Sequence, residues 1–375
     1  MQKRIDIKKI SVKAINLYNK KLYDKSIKEW SKIPNSVVKQ LDDDLSSTIW
    51  FNKSLPHLGK NEIEHYKIAL KLLRDCIERA HDDLGKQELV AASLSYGDFK
   101  YGFDKYRTRY EYNNYYKAKA VSLREYSSIQ PNLVAEDEFN DLQDKTVLIL
   151  DEQGLGDKIM FSLAFKWFSS KVKFCTSTTP KSICNLFKKC YGHIENFEFI
   201  NDEEQLPRKY DAITTLGDIF VEYYKVHGQE PRTQDADINK DWIQPIKSSG
   251  IGVSCISAFY TDNHKEKSLN PSVFSKNYNG EKITWIQMGD TPKGFIKGIP
   301  DDADFTYTAN VISGLDMCYC VDTSVAHLCG LLGVKCKVII SQYYDWRWRH
   351  FNLYESTEIL FEKDLIEDLK KSSIK

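Results

Sequence analysis

The sequence predicts an α/β protein in which two successive regions of short buried strands alternate with helices, and an all-helical segment comes first. Three observations lead there. Residues 317–321, Met-Cys-Tyr-Cys-Val, are too apolar to face water, and the polar corner Asp322-Thr323-Ser324 then opens a short helix. Residues 146–150 form a β-branched and aliphatic run, followed by a glycine loop and by Ile159, Met160, Leu163, Ala164 and Trp167 at helical spacing. Residues 1–118 lack such runs and carry helical periodicity instead.

Within 1–118, Leu17, Tyr18, Tyr23, Ile27 and Trp30 lead to Pro34, and Gly97-Asp-Phe-Lys-Tyr-Gly-Phe-Asp-Lys-Tyr106 repeats the pattern of a turn followed by a small-then-aromatic helix. Both are partial matches to the tetratricopeptide repeat. Between them Ile63, Tyr66, Leu70, Leu73, Ile77 and Ala80 alternate spacings of three and four, which puts them on one face of an amphipathic helix. This region is expected to be either a helical cap or a repeat array offering a seat to a protein partner. The Tyr-rich stretch 110–126, with its Tyr115-Tyr116 pair, reads as a linker or packing segment.

Residues 126–236 are expected to form the first α/β domain. Its strands are placed at 146–150, 171–175, 197–200 and 211–214, with a helical stretch over 181–190, and the alternation implies a parallel sheet. Thr215-Leu-Gly-Asp218 closes a strand at the ligand edge, as a turn or as an acceptor-side loop. Polar composition over 226–244, with Pro231 inside and Pro245 just after, marks the boundary. The second α/β domain, 246–375, has strands at 251–256, 282–286, 317–321, 337–340 and 358–361, a polar loop over 260–268, and a terminal helix at 364–371.

Chemistry concentrates at two strand-to-helix corners. After residue 321, exposed helix N–H groups, the positive end of the helix dipole and the Thr323 and Ser324 hydroxyls favour an anion such as a diphosphate. Val325, Leu328, Cys329 and Leu332 repeat with the helix period, and Gly333 sits where a left-handed cap is expected. In the other corner, Gly154 and Gly156 let the backbone turn tightly, and Asp157 stands at the helix start as a cap or an acid–base group. The third glycine of a dinucleotide fingerprint is missing, and the loop is not a Walker loop.

Lys and Arg together number 53, as do Asp and Glu, so the formal charge is zero and nothing in the balance draws the chain to nucleic acid or an anionic membrane. Residues 1–6 lack the apolar core of a secretory peptide, and no segment approaches ~20 apolar residues. A soluble cytoplasmic protein with no membrane span is expected. The nine cysteines, at 76, 175, 184, 190, 255, 318, 320, 329 and 336, include no Cys-x-x-Cys unit. They read as buried reduced thiols rather than disulfides or a zinc site, and Cys318 and Cys320 share a strand face without other obvious ligands.

The combination of Asp151-Glu-Gln-Gly-Leu-Gly-Asp157, Asp322-Thr-Ser-Val-Ala-His-Leu328 and Asp345-Trp-Arg-Trp348, in this order and at these separations, resembles tetratricopeptide-repeat proteins carrying a glycosyltransferase domain related to the bacterial heptosyltransferases of glycosyltransferase family 9. The segment 97–109 is similar to the one that closes the repeat region there, and the resemblance covers about residues 90–350. It implies a GT-B architecture, two Rossmann-like parallel-sheet domains facing a cleft behind a helical domain. It also implies inverting, metal-independent transfer from a nucleoside-diphosphate sugar to an acceptor.

By the same resemblance Asp157 is the general base, and Asp322, Thr323, Ser324 and His327 hold the donor. Lys267, where relatives commonly show arginine, offsets diphosphate charge, and Arg347 reaches the donor. Glu152, Gln153, Gly154 and Gly156 contact the acceptor, and neither a metal nor a cofactor is expected. A scaffold that binds a glycan or nucleotide without turnover is the alternative from another class. A phage-like transferase acting on DNA bases is a third reading, and it would need a basic groove that the neutral composition does not advertise.

Overall fold

The structure, a computed structural model, describes residues 5–80, 83–109, 132–133, 139, 141–248, 250–257, 267–278, 280, 282–341 and 344–372. The Tyr-rich stretch 110–126 and residues 260–266 of the polar loop lie outside the described residues. The chain divides into two compact units, one of residues 1–119 with 344–350, the other of residues 120–343 with 351–375.

The first unit is helical: α1 (Ile7–Asn19), α2 (Tyr23–Trp30), α3 (Asn35–Val38), α4 (Asp43–Lys60), α5 (Ile63–Arg79), α6 (Asp83–Tyr96), α7 (Phe99–Asp104) and, from late in the chain, Trp346–His350. Carboxylates start three of these helices, with Asp6, Asp42 and Asp98 accepting from the amides of Lys9, Leu45 and Tyr101. One core gathers Ala14, Trp30, Ile33, Val38, Ile49, Trp50, Leu72 and Cys76, and a second gathers Tyr66, Leu70, Leu73, Leu89 and Ala92. The predicted face of α5 is therefore the buried one at Tyr66, Leu70 and Leu73, whereas Ile63, in the first turn, is 38% exposed. Gly97 has φ +98, the left-handed conformation that lets α6 end and α7 begin within two residues.

The second unit holds two sheets, all of whose strand pairs are parallel. The first comprises β1 (Asn132–Leu133), β2 (Thr146–Leu150), β3 (Phe174–Thr179), β4 (Phe197–Asn201) and β5 (Ala212–Thr215) in the order β1-β5-β2-β3-β4. The second comprises β6 (Ile251–Ser254), β7 (Ile283–Trp285), β8 (Ile296–Lys297), β9 (Met317–Val321), β10 (Cys336–Ile340) and β11 (Thr357–Phe361) in the order β11-β10-β9-β6-β7-β8. In the first, after the edge strand β1, the chain builds outward from β2 to β4 and returns at β5 on the other side of β2; in the second it builds outward from β6 to β8 and returns at β9 on the other side of β6. The strand order thus reverses between β2 and β5 and between β6 and β9, and open α/β sheets bind ligands beyond the carboxyl ends at such points.

The helices between strands are α8 (Leu155–Phe161), α9 (Phe165–Ser169), α10 (Lys181–Tyr191), α11 (Leu216–His227), α12 (Ser272–Asn277), α13 (Phe305–Ile312) and α14 (Ser324–Leu332). Trp346–His350 is α15, and α16 (Leu365–Ser372) ends the described chain. The second sheet packs Val253, Trp285, Tyr319, Val321 and Ile339 with Phe274 from α12 and Leu365 and Leu369 from α16. Beside the first sheet, Phe165 meets the rings of Phe187, Tyr191, Phe197 and Phe199.

The differences from expectation include two edge strands and the bounds of β3. The two-residue strands β1 and β8 carry too little pattern to be read. β3 begins at Phe174 rather than at 171, because Lys171 and Lys173 are exposed, and it continues through Thr176, Ser177, Thr178 and Thr179, all buried despite their hydroxyls. All nine cysteines are buried and unbridged. Among the described residues no helix is long and apolar enough to cross a membrane.

Candidate functional site

The first corner lies at the carboxyl end of β2. Gln153 takes φ +60, which turns the chain out of the strand and into α8. Its carbonyl accepts from Lys158 Nζ at 2.6 Å, and the same ammonium lies 3.5 Å from Asp151 Oδ2. Lys158 and Asp151 are both buried. Burial pushes the lysine pKa down, opposed by the charges of Asp157 and Glu152. Asp157 Oδ2 accepts from the Gly154 amide at 3.0 Å, so this carboxylate caps α8 from a partly exposed position.

Glu152 is fully buried. Its Oε1 accepts from the Thr215 hydroxyl and from the Gly217 amide, each at 2.5 Å. Thr215 in turn caps α11 by accepting from the Asp218 amide. The carboxylate therefore ties the loop after β2 to the helix start after β5, across the point where strand order reverses. Such an arrangement satisfies helix donors at the positive end of the dipole and fixes the loop's position.

The second corner follows β9. Asp322 Oδ2 lies 2.5 Å from Lys267 Nζ, with side-chain exposures of only 13% and 17%. Thr323 caps α14 in extended conformation without a side-chain bond into the first turn, and its Oγ1 is 3.2 Å from the Val321 carbonyl and 3.4 Å from Ser254 Oγ. Ser254 ends β6, so the contact spans the strand-order reversal of the second sheet. Asp322, Thr323 and Ser324 are each partly exposed. His327 is buried, its Nδ1 2.9 Å from the Tyr354 hydroxyl, and burial holds that hydroxyl well above its ordinary pKa.

The two corners meet. α8 packs on α14 so closely that a Cβ on Gly156 would stand 2.8 Å from His327 Cδ2 and 3.4 Å from both Cα and N of Ser324. Asp157, Ser324 and His327 thus come together because residue 156 has no side chain. Gln153 and Gly156 are partly exposed and Gly154 is exposed. Arg347 belongs to the first unit, where Nη1 is 3.0 and 3.1 Å from the two Asp345 oxygens and the guanidinium lies 4.7 Å from the Trp346 ring centre. Trp346 and Trp348 are buried.

Four site residues were not anticipated: Lys158, Thr215 in its role toward Glu152, Ser254 and Tyr354. Lys158 had a signal, a charge between Asp157 and the apolar Ile159-Met160 where the helix turns inward. Tyr354 had none, since the partner it holds is 27 residues away.

No protein-family profile matches the chain, and no curated protein does. Among solved structures, the iron-containing dodecameric glycosyltransferase TibC from enterotoxigenic E. coli H10407 is similar at 15% identity and a TM-score of 0.42, over 53% of this chain and 58% of that one. The dodecameric iron-containing heptosyltransferase TibC in complex with ADP-D-beta-D-heptose gives 13%, 0.43, 55% and 62%. A glycosyl transferase family 9 protein from Veillonella parvula DSM 2008 gives 11%, 0.38, 62% and 90%. This chain therefore spans less than two thirds of the TibC chains it overlaps.

Proposed function

We propose that the second unit is a glycosyltransferase that moves a sugar from a nucleoside-diphosphate sugar to an acceptor hydroxyl, with inversion and without a metal in the transfer step. The observation that carries the reading is the meeting of the two corners at Gly156, next in the chain to the Asp157 carboxylate and 3.4 Å, measured from a Cβ placed on it, from the backbone that starts α14. In this reading the diphosphate takes the first amides of α14 and the hydroxyls of Thr323 and Ser324. Lys267, held by Asp322 at 2.5 Å, offsets the negative charge that grows as the nucleotide leaves.

Asp157 takes the acceptor proton as the hydroxyl attacks the anomeric carbon. Gln153, Gly154 and Gly156 form the acceptor side, and Glu152 acts by positioning that loop rather than by touching substrate, as its burial requires. His327 sets the spacing between the corners while Tyr354 fixes its ring. The helical unit, with its repeat-like turn at Gly97-Asp98, is the proposed seat for a protein partner.

A second reading, a binding module without turnover, is favoured by the bond from the Gly154 amide to Asp157, which gives that carboxylate a structural role as a helix cap. Calorimetry of the protein against a panel of nucleoside diphosphates and their sugars, in chelator, should show saturable binding to one nucleotide class. Absence of binding across the panel would overturn both the donor site and the transferase. Asp157→Asn should then leave affinity intact and lower turnover by about 10²- to 10⁴-fold. Unchanged turnover would remove Asp157 as base, and binding with no turnover in either form would favour the module.

A further inference from the structure

Behind the proposed donor corner, β9, α14 and β10 bring cysteines together that are well separated in sequence. The sulfurs of Cys320, Cys329 and Cys336 all lie within 4.8 Å of one another. Cys318 stands outside that trio, directly opposite Cys336 in the ladder between β9 and β10. Cys318 and Cys320 share one face of β9, and Cys336 lies directly opposite Cys318 in the parallel register of β10, so three strand thiols point to one side of the sheet. α14 packs on that side and lowers Cys329 onto them. All four residues are buried. The expectation that Cys318 and Cys320 lack other obvious ligands is corrected for Cys320, whose sulfur lies within 4.8 Å of those of Cys329 and Cys336.

We propose that Cys318, Cys320, Cys329 and Cys336 form a tetrathiolate site for a single thiophilic divalent metal ion, Zn²⁺ or Fe²⁺, that fastens α14 to the second sheet. A tetrahedral thiolate site with bonds of about 2.3 Å spaces its sulfurs about 3.8 Å apart, so Cys320, Cys329 and Cys336 lie close to ligand spacing, and Cys318, opposite Cys336 in register, is the thiol placed to turn in as the fourth. Each thiol gives up its proton to solvent as its sulfur binds, and four thiolates around a dication leave two negative charges to be offset. A cavity of about 620 Å³ has Cys336, Lys240 and Lys335 in its wall, whereas Lys337 turns to the other face of the sheet and pairs with Asp368. Lys240 and Lys335 place positive charge on that side. The role is structural, and the site stands apart from the transfer reading.

The intact protein, purified without chelator and kept reduced, is first analysed for bound metal and then titrated with Co²⁺. About one Zn or Fe per chain, or on Co²⁺ addition a thiolate charge-transfer band with the strong visible bands of tetrahedral cobalt saturating at one equivalent, supports the site. Elemental analysis tells which ion it holds. Cys329→Ala should abolish the bands, whereas Cys255→Ala, a buried cysteine elsewhere in the second half, should keep them. A folded wild-type protein with four reduced thiols, no bound metal and no cobalt bands overturns the proposal, whatever the variants do. Bands that survive Cys329→Ala overturn it too. Loss of nucleotide binding with the metal retained would count against the donor site alone.

Discussion

Gly156 does its work by what it lacks. Its Cα faces the His327 ring and the Ser324 backbone with no room for a methyl group, so the spacing of the two corners is set by one missing atom. Ala at 156 would press on His327 Cδ2 at 2.8 Å and Val would add more, and His327, pinned to Tyr354, has little room to yield. Gly156→Val should lower the unfolding free energy by about 1–3 kcal/mol, read from urea titration, and reduce nucleotide affinity more than that loss of fold explains. Equal affinity in glycine and valine forms would show that the spacing of the corners does not matter to the ligand. The turn at 154–157 and the capping role of Asp157 were readable from sequence, because two glycines and an aspartate between a buried strand and a helical period mark a tight turn into a helix. The same sequence could not show that Glu152 points inward to Thr215 and Gly217, since a carboxylate next to a glycine loop reads as solvent-facing until the neighbouring strand is in place.

Helices α4 and α5 carry a titratable contact that bears on stability. Their His57 and His65 meet through Nδ1 atoms 2.9 Å apart, and burial, followed by the nearby charges of His65 and Lys53, pushes His57 from 6.5 to about 4. Above pH 6.5 both folded and unfolded chains carry it neutral. As pH falls through 6.5 the unfolded chain gains a proton that the folded one refuses, so stability declines down to about pH 4, where the folded ring protonates as well. The urea midpoint of the wild type should therefore drop more between pH 7 and pH 5 than that of His57→Leu. Parallel slopes would remove the histidine pair as the cause. Elements of this size were legible wherever an aliphatic run or a 3.6 period marked them, as in β2, β9 and α5. They were not legible where pairing replaced pattern. β3 buries a Thr-Ser-Thr-Thr run because its neighbours on both sides cover it, and no periodicity announces that.

At the scale of the molecule, the helical unit is completed by residues that belong to the distant end of the chain. Trp346 lies 6.3 Å from the Phe99 ring and 6.0 Å from that of Phe103, His350 is 5.4 Å from Phe99, and Arg349 donates to Asn61 Oδ1 at 2.8 Å. The sequence showed Asp345-Trp-Arg-Trp348 as a motif but not its destination, because an aromatic pair carries no address. A fragment of residues 1–119 should unfold with about 3–5 kcal/mol less stability than the same fragment carrying 344–350 on a flexible tether, in keeping with the loss of a buried tryptophan. Equal midpoints for the two would show that α15 adds nothing to the unit.

The same connection sets a timetable during synthesis. When the ribosome releases residue 119, the aromatic seat for α15 is formed or forming, yet its occupant lies on the order of 200 residues downstream. At roughly 5–20 residues per second that is a wait of about 10–50 s, during which Phe99 and Phe103 face solvent or a chaperone. The amino-terminal unit is thus the first to be made and among the last to be finished, and its final packing step waits on the segment that crosses back from the second sheet's strand β10.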